Sequence, residues 1–441
     1  MNSEFSKASL GKASQKLEGA DSQVLLARLY YASPFTLKRT MGGKILASGQ
    51  VKRAAVIGSG AMGHGITELL AMNGYEVVMV DINDEILRNA KEKIQWSLGK
   101  FVEKRRIRQE DADATLARIG TTTSYEEAGK DVGIAIEATP ENMNLKKTIF
   151  AKLDQATPTH AILASNTSTL SITEMGKATK RPDKVAGMHF FNPPHQMALV
   201  EVIKGDGTSQ ETITMLAELA KKLGKTPIFV RRDVRGFIVN RILGAAFNEA
   251  FWAYYRKEGT MLGIDASVKY TGGFPMGWFE LADFVGLDIA YDVGRILYEA
   301  YGERFKPCSE VIDPLIKERK FGQKAGAGFY DWSKGRPRIP FNLLDEYDVE
   351  RSWAVAVNEA AWLISDDAAN PEDIDTGMKL GTYWPQGPCE HADRTGLDVI
   401  ANKLKELYIK YTMEMYKPCP LLEEYVSKGW TGKKAGRGFY Q

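Results

Sequence analysis

The stretch from Arg53 to Asp81, RAAVIGSGAMGHGITELLAMNGYEVVMVD, decides the first half of the fold. Its opening run RAAVI predicts a short buried strand, and the residues from Gly58 to about Met72 predict a helix. After the turn at Asn73–Gly74, the run EVVMV predicts a second strand that ends at Asp81. A strand, a glycine-rich turn, a helix and a second strand together predict a βαβ unit within a parallel sheet.

The turn after the first strand carries a glycine motif. Its six residues match GxGxxG, namely Gly58, Ser59, Gly60, Ala61, Met62 and Gly63. The spacing alone is a weak signal, but here it follows a strand and opens a helix, where backbone N–H groups can face a pyrophosphate. Asp81 ends the next strand, where a carboxylate can bind both ribose hydroxyls and repel a 2′-phosphate. These features predict a site for NAD rather than NADP; the alternative is a purely structural glycine-rich turn.

Outward from this unit, strand and helix signals continue to alternate. A charged helical stretch covers Asp84–Arg105, and strand-like runs lie at 132–136, 161–164, 185–191, 199–203 and 226–230. This alternation predicts an α/β fold with a mostly parallel, doubly wound sheet of the Rossmann type. After about Val234 the strand signals stop, and the rest of the chain has helical patterns.

The helical part contains an internal repeat with a constant offset between its two copies. The recurring motifs are Asn248-Glu249-Ala250 with Asn358-Glu359-Ala360, Gly286-Leu287-Asp288 with Gly396-Leu397-Asp398, and Lys324-Ala325-Gly326 with Lys434-Ala435-Gly436. Such a repeat indicates two copies of one all-α domain. The predicted organisation is an N-terminal extension (1–50), a Rossmann-type domain (51–233), a first helical domain (234–331) and a second, degenerate helical repeat (349–441).

The composition is that of an ordinary globular protein, with 441 residues, 44% hydrophobic and 26% charged. Lys and Arg number 58 and Asp and Glu 56, so a net charge of +2 offers no general attraction for nucleic acid or an anionic membrane. Three cysteines without a CxxC pair predict neither a disulfide scaffold nor a metal site. No apolar run is long enough to span a membrane. We therefore expect a soluble protein of the cytoplasm, with an organelle matrix as the alternative.

Residues 1–50 differ in composition from the rest of the chain. Met1–Gln23 is rich in Ser, Lys, Gly and Ala, which predicts a mobile start. Gln23–Lys38 is apolar enough to dock as a short helix on the body of the protein. A transit peptide is disfavoured because Glu4, Glu18 and Asp21 are acidic.

His189 and Glu201 form a candidate acid–base pair. His189 ends the run VAGMH, at the carboxyl end of a predicted strand, where ligands bind in such sheets. Glu201 lies twelve residues later in the run LVEVI, so an adjacent strand could bring its carboxylate to the imidazole. Such a pair fixes the histidine tautomer and suits a general base for an alcohol proton. By composition alone, each of the five histidines is more often a surface or core residue than a catalyst.

From about Lys52 to the end, the sequence resembles the L-3-hydroxyacyl-CoA dehydrogenases. The motifs that carry the resemblance are, in order, the GSGAMGHGI turn, ASNTS at 164–168, GMHFFNPP at 187–194, LVEVIK at 199–204, GFIVNR at 236–241, PMG at 275–277 with FEL at 279–281, and the two KAGxGFY endings. Several motifs in the order of one family make the resemblance specific.

The resemblance implies a hydride transfer between C3 of a fatty acyl-CoA and NAD, in fatty-acid β-oxidation or short-chain 3-hydroxybutyryl-CoA metabolism. It implies that His189 takes the proton of the 3-hydroxyl and that Glu201 orients and supports the imidazolium. Ser168 and Asn240 are implied to hydrogen-bond the substrate near the reacting carbon.

Further contacts are carried over from the family onto matching positions. The implied NAD contacts are Glu141, Lys146, Ser168 and Asn192, and the implied CoA contacts are Ser97 and Lys104. Lys104 would offer a cation to the CoA phosphates; the alternative is a solvated surface lysine.

Three positions depart from the family pattern. Arg235 replaces the usual Pro before GFIVNR, which predicts a less rigid loop, and Trp278 replaces Pro after PMG, which predicts a reshaped acyl pocket. Glu350 stands in the second repeat at the position equivalent to Asn240, so we expect no second active site there. That repeat is instead expected to cover the first one, as a partner subunit does in single-copy dimers. This predicts a monomer with an internal pseudo-dimer, and a homodimer is the second choice.

Two other functions stay open on the sequence. A related Rossmann hydroxy-acid dehydrogenase would act on free acids rather than on CoA thioesters. A non-catalytic relative would keep the fold without the activity, which the complete set of Ser168, His189, Glu201 and Asn240 disfavours.

Overall fold

Short apolar runs, buried on both faces, build one eight-stranded sheet. In the computed structural model, which describes residues 52–440, the strands are β1 (Arg53–Ile57), β2 (Glu76–Val80), β3 (Ile119–Thr122), β4 (Ile134–Glu137), β5 (Ile162–Ser165), β6 (Val185–Phe190), β7 (Leu199–Ile203) and β8 (Thr226–Val230). The central strands β4, β5, β6 and β7 are buried along their whole length. Their Ile-, Val- and Ala-rich composition is that of a sheet covered on both faces.

The strand order is β3-β2-β1-β4-β5-β6-β7-β8. All neighbouring strands are parallel except β6 and β7, which run antiparallel and place His189 directly opposite Glu201. The order reverses between β1 and β4, and ligands of such sheets bind at the carboxyl ends of the strands beside this point.

Between residues 53 and 230, seven α-helices accompany the sheet. They are α1 (Ala61–Met72), α2 (Asp84–Glu103), α3 (Gln109–Ala117), α4 (Tyr125–Gly129), α5 (Met143–Ala156), α6 (Ile172–Gly176) and α7 (Gln210–Lys222). Several begin at a capping side chain: Asn83, Asn142 and Ser209 each accept a hydrogen bond from the backbone N–H three residues on.

The part after β8 is helical. Its helices are α8 (Val239–Tyr255), α9 (Met261–Ala266, continued by a π-helical turn at Ser267–Thr271), α10 (Trp278–Val285), α11 (Leu287–Tyr301), α12 (Ser309–Lys317), α13 (Glu350–Ser365), α14 (Pro371–Gly381), α15 (Pro388–Thr395), α16 (Leu397–Tyr411) and α17 (Pro420–Ser427). The first five recur as the last five, so the two copies share one architecture. The predicted α/β class followed by repeated helical units is confirmed.

The two repeats pack through their first helices, α8 and α13. Arg241 Nε lies 3.0 Å from a carboxylate oxygen of Glu359, and Arg351 Nε lies 2.7 Å from one of Glu249. Arg241 and Arg351 occupy equivalent positions in the two repeats, and so do Glu249 and Glu359. Each arginine therefore pairs with the glutamate of the other repeat, as across a two-fold axis. All four side chains are buried. The contact between the repeats is therefore an internal counterpart of a symmetric dimer interface.

Two details of the fold were not predicted from the sequence. The edge strand β3 was not predicted, because IGTT has too few apolar residues to stand out. The Trp278 side chain is fully buried against Phe274 and Trp384, and its indole N–H donates to Ser352 at 2.9 Å, while its predicted effect on an acyl pocket stays a prediction. The substitution of Pro by Trp therefore fills the core between the two repeats.

Within residues 52–440, the structure contains no helix that is both long and apolar enough to cross a membrane. The same part of the chain holds no cluster of three or more His, Cys, Asp or Glu side chains that could bind a metal ion. The extension 1–50, with the docking helix predicted at Gln23–Lys38, lies outside the described residues.

Candidate active site at the carboxyl edge of the sheet

His189 lies near the end of β6 and is held from two sides. Its Nδ1 is 2.7 Å from Glu201 Oε2, and its Nε2 is 3.2 Å from Ser168 Oγ. With the carboxylate as acceptor, Nδ1 is the donor and Nε2 keeps its lone pair. The lone pair points toward the hydroxyl of Ser168, which is half-buried. The imidazole is thus oriented as a base with an accessible second partner.

Glu201 is completely buried in the middle of β7. Its Oε1 accepts hydrogen bonds from the backbone N–H groups of Ile238 and Val239, each at 3.1 Å. These amides open helix α8, whose positive dipole end faces the carboxylate. A buried charge needs such partners, and here the second oxygen is left for His189.

Ser168 is positioned by the carboxylate of Glu141. Oε1 of Glu141 accepts from the Thr167 hydroxyl at 2.6 Å and from the backbone N–H groups of Ser168 and Thr169 at 3.0 and 3.2 Å. Burial raises the pKa of Glu141, but the Lys146 ammonium and these hydrogen bonds outweigh it and lower the pKa below its ordinary value. An ionised Glu141 therefore fixes the loop that carries the Ser168 hydroxyl.

A buried ion pair lies beneath this loop. The Lys146 ammonium is 2.7 Å from Glu137 Oε1 and 3.4 Å from Glu141 Oε2, and it donates to the Thr139 carbonyl at 3.1 Å. Glu137 also accepts from the Ser165 hydroxyl at 2.6 Å. The Lys146 ammonium thus binds groups within the protein and ties the end of β4 to the loop at 137–141, while its expected contact with NAD stays a prediction.

Glu137 was missed by the sequence analysis. Its signal is a carboxylate at the end of the apolar run IAIE, at the carboxyl end of a buried strand. A charged residue in that place requires a partner, and Lys146 is one helical turn into the next helix.

Asn240 lies in the first turn of α8, next to the amides that bind Glu201. Its side-chain amide donates to the carbonyl of Ser168 at 3.4 Å. Hydrogen bonds thus connect four residues in one group. They come from the loop after β5 (Ser168), from β6 (His189), from β7 (Glu201) and from α8 (Asn240).

The glycine turn between β1 and α1 has the shape that a pyrophosphate requires. Gly58 has φ of +91°, and a Cβ there would lie 2.7 Å from the carbonyl oxygen of Ala138. A Cβ on Gly63 would lie 1.7 Å from the carbonyl oxygen of Gly58, so the helix can approach the turn only with glycine there. A Cβ on Gly60 would meet nothing within 4 Å, so the backbone there borders open space. The residues fit a dinucleotide, whose pyrophosphate would lie at the N-terminus of α1.

Asp81 lies at the end of β2 beside this turn, half-buried. Its Oδ2 accepts from both the backbone N–H and the hydroxyl of Ser59 at 2.7 Å, and its Oδ1 accepts from the N–H of Ile82 at 2.8 Å. The carboxylate is therefore held in place through Oδ2, which accepts two hydrogen bonds, and Oδ1 keeps one free lone pair for a further donor.

The remaining predicted contacts lie around this group. Asn192 is exposed in the loop after β6. On α2, the Ser97 hydroxyl donates to the buried carboxylate of Glu68 at 2.7 Å, and Lys104 is exposed at the end of the helix. Their predicted contacts with NAD and CoA stay predictions.

Models of two domains of one protein family match the chain. The NAD-binding domain of 3-hydroxyacyl-CoA dehydrogenase matches residues 53–234. The C-terminal domain of 3-hydroxyacyl-CoA dehydrogenase matches 236–332 and again 347–441. The two matches to the C-terminal domain coincide with the two helical repeats.

Individual proteins give the same result. The chain is 36% identical over 372 residues to the fatty acid oxidation complex subunit alpha of Acinetobacter baumannii, covering 79% of this chain and 51% of that protein. It is 40% identical over 289 residues to the mitochondrial hydroxyacyl-coenzyme A dehydrogenase of Sus scrofa, covering 64% of this chain and 91% of that protein. The chain thus spans about half the length of the fatty acid oxidation subunits that it matches.

Among solved structures, 3-hydroxybutyryl-CoA dehydrogenase from Escherichia coli K12 superimposes with a TM-score of 0.81 at 29% identity. The superposition covers 86% of this chain and all of that one. The likeness therefore extends over the sheet and both helical repeats.

Proposed function

The chain belongs to the 3-hydroxyacyl-CoA dehydrogenase family, and from this premise we propose that it catalyses the NAD-dependent, reversible oxidation of (S)-3-hydroxyacyl-CoA to 3-ketoacyl-CoA. The observation that carries the proposal is the orientation of His189, whose Nδ1 faces the buried Glu201 while its Nε2 faces the Ser168 hydroxyl. A base held in this way at the carboxyl edge of a dinucleotide-binding sheet suits removal of a proton from a secondary alcohol.

Each residue of the site has a defined role in this proposal. His189 Nε2 takes the proton of the 3-hydroxyl, and the Glu201 carboxylate stabilises the positive charge that the ring then carries. The Ser168 hydroxyl hydrogen-bonds the substrate oxygen, which becomes a carbonyl. Asn240, anchored on the Ser168 carbonyl, orients the neighbouring part of the acyl chain. Bound NAD supplies the hydride acceptor.

The cofactor is held by the glycine turn and Asp81 in this proposal. Asp81 accepts from the ribose hydroxyls, and because it is anionic it disfavours the 2′-phosphate of NADP. Glu141 and Lys146 act by fixing the loop that carries Ser168. The CoA portion is proposed to lie along α2, near Ser97 and Lys104. The cytoplasm or an organelle matrix is the compartment that such a reaction implies.

The proposal is tested by following NADH oxidation with acetoacetyl-CoA and with a long-chain 3-ketoacyl-CoA, with NADPH and free acetoacetate as matched comparisons. The expected result is turnover with at least one CoA thioester and NADH, and much slower turnover with NADPH or the free acid. Turnover of free hydroxy acids without CoA would instead favour a related hydroxy-acid dehydrogenase. No turnover with any thioester would contradict the proposed function.

A further inference from the structure

The second helical repeat packs onto the edge strand β8, which lies next to β7, the strand that carries Glu201. The backbone N–H of Arg231, just after the edge strand β8, donates to the carbonyl of Ala368 at 2.7 Å. The carboxylate of Asp373 in α14 accepts from the backbone of Phe229 within β8. Edge strands need a cover for their unpaired backbone groups. Here the start of α14 and the turn before it provide that cover.

Two glycines let α14 come unusually close to the sheet and to α8. A Cβ on Gly377 would lie 2.9 Å from Ile228 Cδ1 and 3.2 Å from Val239 Cγ2. A Cβ on Gly381 would lie 2.8 Å from Leu199 Cδ2 and 3.3 Å from a ring carbon of Phe191. Both glycines are helical and one turn apart, so they form one contact face. No side chain fits at either position without displacing its neighbours.

The neighbours of these glycines hold the two catalytic side chains. Val239 donates its backbone N–H to Glu201, and Leu199 lies two residues before Glu201 on the same face of β7. The Phe191 ring packs against the His189 ring with centroids 4.7 Å apart. A Cβ on Gly381 would turn the Leu199 end methyl aside, and the Phe191 ring and Val239 would have to give by a few tenths of an ångström. Movement of Phe191 and Val239 would shift the groups that hold the imidazole and the carboxylate.

We propose that the second repeat, which has no catalytic site of its own, positions the His189–Glu201 pair through the Gly377–Gly381 face of α14. Gly377 and Gly381 are positioning residues: they touch the groups that hold the pair and not the pair itself. The inference rests on the proposed function, because its test measures the turnover of the proposed reaction. It explains why a repeat that lacks the counterpart of Asn240 still packs against the catalytic strands.

The test is Gly381→Ala, which adds one methyl group against Leu199 and Phe191. We expect kcat to fall about 10- to 100-fold, because small misplacements of catalytic groups have effects of that size. The KM for NADH should stay within about twofold, since the glycine turn at Gly58 is untouched. Amide hydrogen exchange of the peptide containing Ile238 and Val239 should become faster, because their hydrogen bonds to Glu201 are disturbed.

The matched control is Gly294→Ala. Gly294 is also helical, in α11, but a Cβ there meets nothing within 4 Å, so this variant should keep the kcat and the exchange of the wild type. A rescue variant combines Gly381→Ala with Leu199→Val, which removes the Cδ2 that the new methyl would meet. The double variant should regain kcat relative to Gly381→Ala, with Leu199→Val alone as its baseline.

A folded Gly381→Ala protein with wild-type kcat and unchanged exchange at Ile238 and Val239 would overturn the inference. A lower melting temperature without a change in kcat would overturn it as well, because it would make the contact purely structural. If the wild type itself turns over no CoA thioester, the proposed function fails. The exchange of the two amides would still decide whether α14 holds the backbone that binds Glu201.

Discussion

At the residue scale, the site depends on one imidazole with two different partners. The proposed role of His189 predicts that His189→Gln lowers kcat by about 10²- to 10⁴-fold, the range of a lost general base. Glutamine can still accept a hydrogen bond, but it cannot carry the proton away. NADH affinity should be unchanged, because the glycine turn and Asp81 do not contact His189. Steady-state assays with acetoacetyl-CoA and a fluorescence titration with NADH measure the two quantities.

The exposed His160 offers a matched control, and His160→Gln should retain wild-type kcat. If His189→Gln turned over nearly as fast as the wild type, the base would have to be another group.

Glu68 gives a second prediction at this scale, for stability. Burial raises the pKa of Glu68 to about 8 and lowers the pKa of the neighbouring His195 to about 4. Between pH 4.5 and 8 the unfolded chain loses the Glu68 proton and the folded chain keeps it. The contribution of this group to the free energy of unfolding is therefore complete below pH 4.5 and is lost as the pH rises through about 8. Glu68→Gln keeps the acceptor for Ser97 and removes the titration.

The expected outcome is that Glu68→Gln gains stability over the wild type as the pH rises from 5 to 8, by about 3–4 kcal/mol. His195 is neutral in the folded protein over this range, and the titration of His195 in the unfolded chain is common to the variant and the wild type, so it cancels in their difference. Urea unfolding at pH 5, 6.5 and 8 measures it, with the exposed Glu92→Gln as control. A difference between variant and wild type that does not change with pH would show that Glu68 is ionised in the folded protein.

The sequence could predict the approach of His189 and Glu201, because a twelve-residue spacing between two neighbouring apolar runs allows only a short connection. The Lys146–Glu137 pair had a local signal, the carboxylate that ends the apolar run IAIE, but the bond between Ser97 and Glu68 had none. That bond depends on how α1 and α2 pack together, and nothing local to the two residues encodes this packing.

At the scale of elements, a buried aspartate in each helical repeat binds both the start of the third helix and a tyrosine at the end of the repeat. Asp265 is buried and accepts from the N–H groups of Phe279 and Glu280 at the start of α10, each at 2.9 Å, and from the Tyr330 hydroxyl at 2.8 Å. In the second repeat Asp375 does the same with the start of α15 and with Tyr440. The KAGxGFY endings thus serve to bring a tyrosine back to a buried carboxyl group.

Tyr330→Phe should therefore destabilise the protein by about 1–3 kcal/mol, the cost of leaving a buried acceptor short of a donor. Tyr255→Phe is the control, since that side chain is 48% exposed. Urea unfolding curves provide the measurement. An unchanged midpoint for Tyr330→Phe would mean that the hydroxyl contributes nothing to the closure of the repeat.

The strands whose bounds could be predicted from the sequence are the ones richest in apolar residues. The runs RAAVI, EVVMV, LVEVI and TPIFV were bounded correctly because each is apolar and ends at a polar or glycine residue. The predicted helix at Gly58 begins only at Ala61, since Gly58 has positive φ and Gly60 is extended. Strand β3 is stabilised by pairing with β2 rather than by its own composition.

At the scale of the whole molecule, the two helical repeats pack on each other through their first helices. The two copies could be recognised from their recurring motifs. The two ion pairs between the copies, Arg241–Glu359 and Arg351–Glu249, could not be predicted, because each pair joins positions far apart in the chain. Helices α8 and α13 cover each other, so the face that would otherwise need a second subunit is used within the chain. We therefore propose that the protein is a monomer.

The monomer proposal makes a prediction about concentration. Light scattering should give a mass near 49.0 kDa at micromolar concentration, and the melting temperature should not change over a hundredfold range of concentration, whereas a dimer would gain stability by mass action. Arg351→Leu removes the nearest cation from the buried Glu249, which keeps only Arg256 at 3.9 Å and tyrosine hydroxyls, and should cost about 3–5 kcal/mol, again independently of concentration. Arg295→Leu, whose ion pair with Glu299 is more than half exposed, should cost less than about 1 kcal/mol. A stable mass of two chains, or a melting temperature that rises with concentration, would mean that the α8–α13 contact does not satisfy the whole interface and that a second copy of the chain still binds.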